Sequence, residues 1–305
     1  MTILPSLESL AGVPGPVCIA IGVFDGVHLG HQALIRRVMA EAETLGGSAV
    51  ALTFHPHPMR VVRPEAAPRL LTSTPHKIRL IEELGCPHLL LVPFDAAFSA
   101  QEPATFVENL VRHAHPLRRI CVGHQWAFGR GRSGNVDLLR RLGAEGGFET
   151  VEIEPVTSGG ETISSTRIRR AIEAGDFAAA RLLLGRDYTI LGTVQHGARL
   201  GSQLGFPTAN LAAHNEQFPP NGVYAVTAGF RGSWRRGVAN IGTRPTVDGN
   251  SGRLLEVHLF DFSGNCYDEE MEVRFDRFLR PEKKFESLDA LKTQIQKDAE
   301  AARQG

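Results

Sequence analysis

The sequence carries no excess of charge of either sign: 33 Lys and Arg stand against 33 Asp and Glu in 305 residues. Dividing it after residue 185 leaves both parts neutral, 18 against 18 and then 15 against 15. A protein that grips nucleic acid by its phosphates needs a basic excess, so no nucleic-acid partner is expected. Long apolar runs are missing too. Stretches such as Leu89 to Val92 fall far short of the roughly 20 residues that span a bilayer, which argues against a membrane partner. No basic segment precedes the first apolar stretch, so no signal peptide is expected. The four cysteines, Cys18, Cys86, Cys121 and Cys266, contain no C-x-x-C pair. That speaks against a zinc ribbon or a disulfide framework and suits a reducing, cytoplasmic compartment. Lysine is scarce, 5 residues against 28 Arg, a bias that bidentate phosphate binding exploits but that codon usage also produces.

The composition that remains, 42% hydrophobic and 22% charged, is that of a soluble globular chain with a buried core. Single cores rarely grow past about 250 to 300 residues, so two domains are expected, residues 1–185 and 186–305. In the first, apolar strands alternate with amphipathic helices. Val17 to Val23, Ser48 to Phe54, Leu89 to Val92, Ile120 to Val122 and Val151 to Ile153 read as strands. Leu34, Ile35, Val38, Met39, Ala42 and Leu45 recur at helical spacing until Gly46-Gly47, and similar patterns run through Ile78, Ile81 and Leu84 and through Phe106 to Val111. This order predicts an α/β domain with a parallel sheet covered on both faces. Beyond Gly185 the period drops to two. Strands are expected at Thr189 to Val194, Val223 to Ala228, Trp234 to Ile241, Leu254 to Phe260 and Met271 to Phe275. They predict a small antiparallel barrel, against which a last helix packs Leu288, Leu291 and Ile295.

Chemistry in the first half concentrates where strands give way to helices. Gly22-Val-Phe-Asp-Gly-Val-His-Leu-Gly-His31 joins the first strand to the first helix, the place where open parallel sheets bind phosphates. Asp25-Gly26 supplies the turn, Phe24 follows the strand end, and Gly30 allows close approach of an anion. His28 and His31, three apart, share one side of the first helical turn and can each donate to a phosphoryl oxygen. The plain alternative makes them polar residues at a helix start, or part of a metal set that His55 and His57 would have to complete. No acidic or thiolate partner accompanies those two, and the Pro-bounded Phe54 to Pro58 run more simply shapes a loop facing the same cleft. Ile163-Ser-Ser-Thr-Arg-Ile-Arg169 opens another helix. An N-cap explains one hydroxyl, whereas Ser164, Ser165, Thr166 and Arg169 together suit the β and γ phosphates of a nucleotide.

In the second half, Gly205 and Pro207 fix a backbone on which Thr208 and Asn210 present two oxygens to one side, a donor set that suits Mg²⁺ as well as an ordinary turn. Alternation in Leu254 to Phe260 sends Leu255, Val257 and Leu259 one way and Glu256, His258 and Phe260 the other. Glu256 is then either a surface carboxylate or a general base that deprotonates a substrate hydroxyl.

Taken in order, seven motifs resemble the bacterial bifunctional riboflavin kinase/FAD synthetase family: the Gly22 to His31 segment, the His-Pro-His-Pro loop, I-S-S-T-R-I-R, L-G-F-P-T-A-N, V-A-N-I-G-x-R-P-T around Asn240, L-E-V-H-L-F, and F-L-R-P-E-x-K-F around Arg280. The resemblance implies a Rossmann-like nucleotidyltransferase domain that adenylylates FMN, then a split β-barrel that phosphorylates riboflavin, with ATP as co-substrate, Mg²⁺ in both reactions and FMN and FAD as products. It further implies that His28 and His31 stabilise the α-phosphate and triphosphate, and that Ser165, Thr166 and Arg169 hold the leaving pyrophosphate. On the same resemblance Thr208 and Asn210 would bind Mg²⁺ and ATP, Glu256 would activate the ribityl 5′-hydroxyl, and Arg280 would lie in a mobile closing segment. The partners are then the small molecules riboflavin, FMN and ATP; an oligomer is left open.

Val23 stands where many members of that family have Asn, Gln125 where a carboxylate is common and Ala127 where an Arg is. Ser202 replaces a common Arg, and Asp268 a common Gly. Since the Gln125 loop lines the nucleotidyltransferase cleft in the family, one alternative is a riboflavin kinase whose FAD synthetase half has become a nucleotide-binding module. Others are a nucleotidyltransferase for a different phosphate ester, against which Thr208, Asn210 and Glu256 argue, and a flavin-nucleotide sensor without turnover, against which His28, His31 and Arg169 argue.

Overall fold

The computed structural model describes residues 1–196, 205–244 and 252–304. Ser202, singled out above, lies outside them. The chain divides into two compact units, Met1–Arg69 with Thr74–Ser165, and Leu70–Ser73 with Thr166–Gly305.

In the first unit, strands β1 (Thr2–Leu4), β2 (Val17–Ile21), β3 (Ser48–His55), β4 (His88–Pro93), β5 (Leu117–Gly123) and β6 (Glu149–Ile153) form one sheet in the order β1-β4-β3-β2-β5-β6. Every pairing in it is parallel. Helices α1 (Leu29–Thr44), α2 (Pro58–Val62), α3 (Thr74–Glu83), α4 (Ala96–Ser99), α5 (Pro103–His113) and α6 (Val136–Gly146) intervene. Alternation along β2 divides two cores. Val17, Ile19 and Ile21 join Val50 and Leu52 on one face, and Cys18 and Ala20 join Ala49, Ala51 and the α1 residues Leu34, Ile35 and Val38 on the other. Strands of near-continuous apolar character are what a sheet covered on both faces requires, as the sequence predicts. The chain runs outward from β2 to β3 and β4, then returns to place β5 on the opposite side. The loops after β2 and β5 therefore flank the switch point, where such sheets leave a crevice.

A short ladder of β7 (Thr157–Ser158) and β8 (Glu161–Thr162) precedes α7 (Ser165–Glu173) and α8 (Phe177–Leu184). In the second unit, β9 (Thr189–Gln195), β10 (Ala209–Ala213), β11 (Gly222–Phe230), β12 (Ser233–Arg244), β13 (Gly252–Leu259) and β14 (Glu270–Arg280) close an antiparallel barrel in the order β10-β13-β12-β11-β14-β9. Leu211, Ile241, Leu255 and Val257 fill its interior. The last helix, α9 (Leu288–Arg303), is N-capped by the Ser287 side chain, which accepts from Ala290 N. It packs over Ala225 and Val238 on the barrel's outer face through Ala299 and Ala302. Leu288, expected in that contact, is instead 59% exposed, because the buried stripe runs through Asp298 and Ala302 further along the helix.

Candidate functional sites

The loop between β2 and α1 is held in an uncommon conformation. Phe24 (φ 53°) and Val27 (φ 41°) are non-glycine residues in the left-handed region, on either side of Gly26 (φ 85°). Such positions cost about 1–3 kcal/mol each and survive only where neighbours overdetermine them. Here three alternate carbonyls are each tied down by a side chain. Thr53 Oγ1 donates to the Val23 carbonyl at 2.9 Å, Ser165 Oγ to Asp25 O at 2.9 Å, and Gln32 Nε2 to Val27 O at 3.0 Å. Phe24 is fully buried and meets the His31 ring edge-on.

His28 is the N-cap of α1. Its Nδ1 accepts from the His31 amide at 3.3 Å, and the two imidazoles stack 3.6 Å apart at 18°. An accepting Nδ1 leaves the proton of a neutral ring on Nε2, so the cap favours the tautomer in which Nε2 is the donor. The two histidines, three apart in the sequence, are thus brought together as a stack at the start of α1. Gly30 serves that arrangement directly: a Cβ there would lie 3.2 Å from the His28 ring. Gly22 likewise leaves room for Phe24, whose ring a Cβ would meet at 2.5 Å.

His57 caps α2 by accepting from Met59 N at 3.2 Å, and His55 Nδ1 bonds Thr74 Oγ1 at 2.9 Å. The His-Pro-His-Pro run therefore shapes a loop. Ser164 and Ser165 end the first unit; Thr166 and Arg169 fall on the part of α7 counted with the second.

Beside these residues lies a cavity of about 600 Å³, a size suited to a flat aromatic ligand. Phe54, Phe94, Phe98, Phe106 and Phe128 form a chain of ring contacts along it. Trp126 stacks on Phe128, centroids 4.4 Å apart at 12°. Its polar edge includes His57 and Gln125, and Gln125 holds φ 61°. The Asn or Asp side chains that tolerate this backbone best are one methylene shorter than Gln.

A second cavity, of about 310 Å³, sits on the outer face of the barrel beneath α9 and the segment after β14. Strand pairing puts the polar residues of its wall in one row. Asn210 of β10 is opposite Glu256 of β13, Glu256 is opposite Asn240 of β12, Asn240 is opposite Val223 of β11, and Val223 is opposite Arg280 of β14. All five line the cavity, with Thr208 beside them. Alternation did assign Glu256 to the outer face, but Leu291 and Ile295 of α9 wall that face off, so the carboxylate looks into a cleft. His258, which alone would favour a solvated surface, donates from Nδ1 to the Pro207 carbonyl at 2.8 Å and so clamps the Gly205 to Thr208 segment beside Glu256. Gly205 holds φ 88°, which only glycine adopts without strain, and Asp268 holds φ 62° where the family resemblance suggests glycine.

Arg280 is the last residue of β14. Its guanidinium forks onto Asp298 of α9, which also accepts from Gln294, and leans over Phe285. It closes the strand, and the segment beyond it begins at Pro281. Asp298 and the aromatic set of the first unit are the main site residues missed in the sequence; each is brought in by an element distant along the chain.

Comparison with known proteins gives matches to both halves. The FAD synthetase family matches residues 12–167 and the riboflavin kinase family residues 184–305. The chain is 40% identical over 287 residues to the bifunctional riboflavin kinase/FMN adenylyltransferase of Pseudomonas fluorescens, covering 94% of this chain and 92% of that one. It is 37% identical over 306 residues to the protein of the same description from Escherichia coli K12, covering 100% and 97%. Among solved structures, one described as a macrolide-efflux protein from Streptococcus pneumoniae superimposes with a TM-score of 0.84 at 28% identity, over 100% of both chains. No helix among the described residues is long and apolar enough to cross a membrane. With both domain families matched in series and relatives alike over nearly their whole length, the chain belongs to the bifunctional riboflavin kinase/FMN adenylyltransferase family.

Proposed function

We propose that riboflavin is phosphorylated in the cavity on the barrel's outer face and that FMN is adenylylated at the loop carrying His28 and His31. The chain is a riboflavin kinase and an FMN adenylyltransferase: ATP phosphorylates riboflavin to FMN and leaves as ADP, and a second ATP converts FMN to FAD with release of pyrophosphate. A chain that retained the kinase alone is disfavoured, since the FAD synthetase match runs through Gln125 and Ala127. On this reading the two activities divide near residue 185.

The observation that carries the kinase assignment is the row Asn210, Glu256, Asn240 across three paired strands of one cavity. Glu256 takes the proton of the ribityl 5′-hydroxyl as that oxygen attacks the γ-phosphorus, while the flanking amides hold hydroxyl and phosphate in line. Arg280, fixed by Asp298, faces the flavin and nucleotide, and Gly205 and Pro207 shape the nucleotide edge. Among the described residues no group of three His, Cys, Asp or Glu gathers as a metal site. Thr208 and Asn210 offer hard, neutral oxygens next to one carboxylate, a set that fits a cation carried largely by phosphate oxygens and water. Mg²⁺ held there with ATP would neutralise phosphate charge.

In the first unit the phosphate of FMN attacks the α-phosphorus of ATP and pyrophosphate leaves. The Nε2 hydrogen of His28, with His31 stacked on it, donates to the oxygens on which charge grows. Ser164 and Ser165 are assigned to the pyrophosphate, and Thr166 and Arg169 are assigned with them on their place in the motif alone. Gly22, Phe24, Asp25, Gly26 and Gly30 shape the nucleotide loop. The aromatic cavity takes the isoalloxazine ring, with His57 and Gln125 at its polar edge. Neither step needs covalent catalysis, so positioning supplies most of the rate. All four cysteines are free thiols, which fits work in the cytoplasm.

Incubation of the purified chain with riboflavin, Mg²⁺ and ATP, followed by separation of the flavins, tests this. FMN should appear first and FAD after it, with pyrophosphate. FMN that never becomes FAD would sink the first-unit assignment.

A further inference from the structure

One buried cation takes no part in the reactions as assigned. Lys77 is the only lysine before residue 283 in a chain that otherwise uses arginine. It is 6% exposed, on α3 of the first unit. Its Nζ donates to the Val23 carbonyl at 2.9 Å and to Thr53 Oγ1 at 3.3 Å. Val23 is the residue from which the chain turns into left-handed Phe24, and four residues later the loop delivers His28.

We propose that Lys77 is a positioning residue for adenylyl transfer, its ammonium pinning the Val23 carbonyl so that the strained loop presents His28 and His31 in register. This rests on the adenylyltransferase assignment above. Thr53 alone satisfies that carbonyl, so hydrogen-bond accounting does not require a second donor, least of all a charged one that must be stripped of water. An arginine, the residue this sequence prefers elsewhere, carries a bulkier planar head on its side chain; a compact ammonium meets both oxygens from a single atom.

The cost of that burial is visible. Desolvation pushes the Lys77 ammonium down from 10.5 to about 8, with the charge of Asp25, on the loop itself, opposing the fall. Among the described residues Asp25 is the one charged group whose field acts on it; β3 presents the neutral Thr53. Because the folded value lies below the unfolded one, the folded chain binds fewer protons between about 8 and 10.5. Burial therefore destabilises the fold below pH 8, and that penalty fades as pH rises to 10.5. Above about pH 8 the amine is neutral, its bond to Val23 loses charge assistance and its pull on Asp25 vanishes.

The test compares the full chain with its Lys77→Met variant, assaying FAD formation from FMN and ATP, FMN formation from riboflavin, and thermal unfolding at pH 7. The expected result is a kcat for FAD formation at least tenfold lower, FMN formation within twofold of wild type, and an unfolding midpoint equal or higher. In the wild-type chain FAD formation, but not FMN formation, should decline as pH passes about 8, and the variant should lack that decline. Wild-type FAD formation in the variant would overturn the proposal, as would a loss that tracks a lowered unfolding midpoint. Should the variant fail to fold, the wild-type profiles decide: an alkaline decline shared by both activities, or absent from both, overturns it. A wild-type chain that makes no FAD at all would instead overturn the assignment of the first unit.

Discussion

Arg280 and Asp298 meet through two parallel hydrogen bonds, Nε to Oδ1 at 2.9 Å and Nη2 to Oδ2 at 2.7 Å, which tie the end of β14 to α9 beside the cavity on the barrel's outer face. Asp298 is 5% exposed and accepts a third bond from Gln294. The pair fixes a cation at the rim and the helix that supplies the apolar wall. Truncating one partner of a fully buried pair costs roughly 3–5 kcal/mol; Arg280 retains some contact with water, so Asp298→Ala should cost the second unit about 2 kcal/mol. Riboflavin phosphorylation should show a raised KM with FAD formation from supplied FMN intact. Steady-state kinetics with each flavin would check it, and an unchanged KM for both kinase substrates would contradict it.

Gly30 lies one residue into α1, where alanine ordinarily gains about 0.5–1 kcal/mol over glycine. A Cβ there would stand 3.2 Å from the His28 ring, which must give way. Gly30→Ala is expected to leave the unfolding midpoint unchanged or slightly raised while FAD formation falls roughly tenfold, since small misplacements of catalytic groups cost that much or more. Calorimetry paired with a pyrophosphate-release assay separates the two effects.

Trp126 stacks on Phe128 at one wall of the aromatic cavity. Aromatic pairs are worth about 0.5–1.5 kcal/mol beyond area burial, so Trp126→Ala should raise the KM for FMN by roughly 2- to 10-fold. The KM for riboflavin in the kinase reaction should stay as it was. Equal changes in both constants would move the flavin subsite elsewhere.

Much of the fold is legible in the sequence because its strands announce themselves. The apolar runs of β2 to β5 and the period-two pattern of β13 follow from which faces are buried, and the structure places strands over each. Helix α6 escaped notice: Val136 and Leu139 are buried, but Asp137, Arg140 and Arg141 are interleaved with them. β1 is three residues long and β10 is built from Ala209-Asn-Leu-Ala-Ala213, too short and too small for a periodic signal. The candidate sites divide the same way. The His28–His31 stack is local, built from a spacing of three at a helix start that the sequence displays directly. The rows across strands are set by register, which binds Glu256 to Asn210 and Asn240 at distances along the chain that no local pattern encodes. Lys77 had one signal, its rarity, and nothing in the sequence connects α3 to the Val23 carbonyl.

One chemistry is assigned to each unit, and a reciprocal pair of variants tests that assignment most directly. Glu256→Gln keeps the size of the side chain but removes its basicity, and should cut FMN formation by roughly 10²- to 10⁴-fold while FAD is made from supplied FMN at the wild-type rate. His28→Ala combined with His31→Ala should do the reverse. If either folded variant loses both activities together, the assignment of separate sites is wrong.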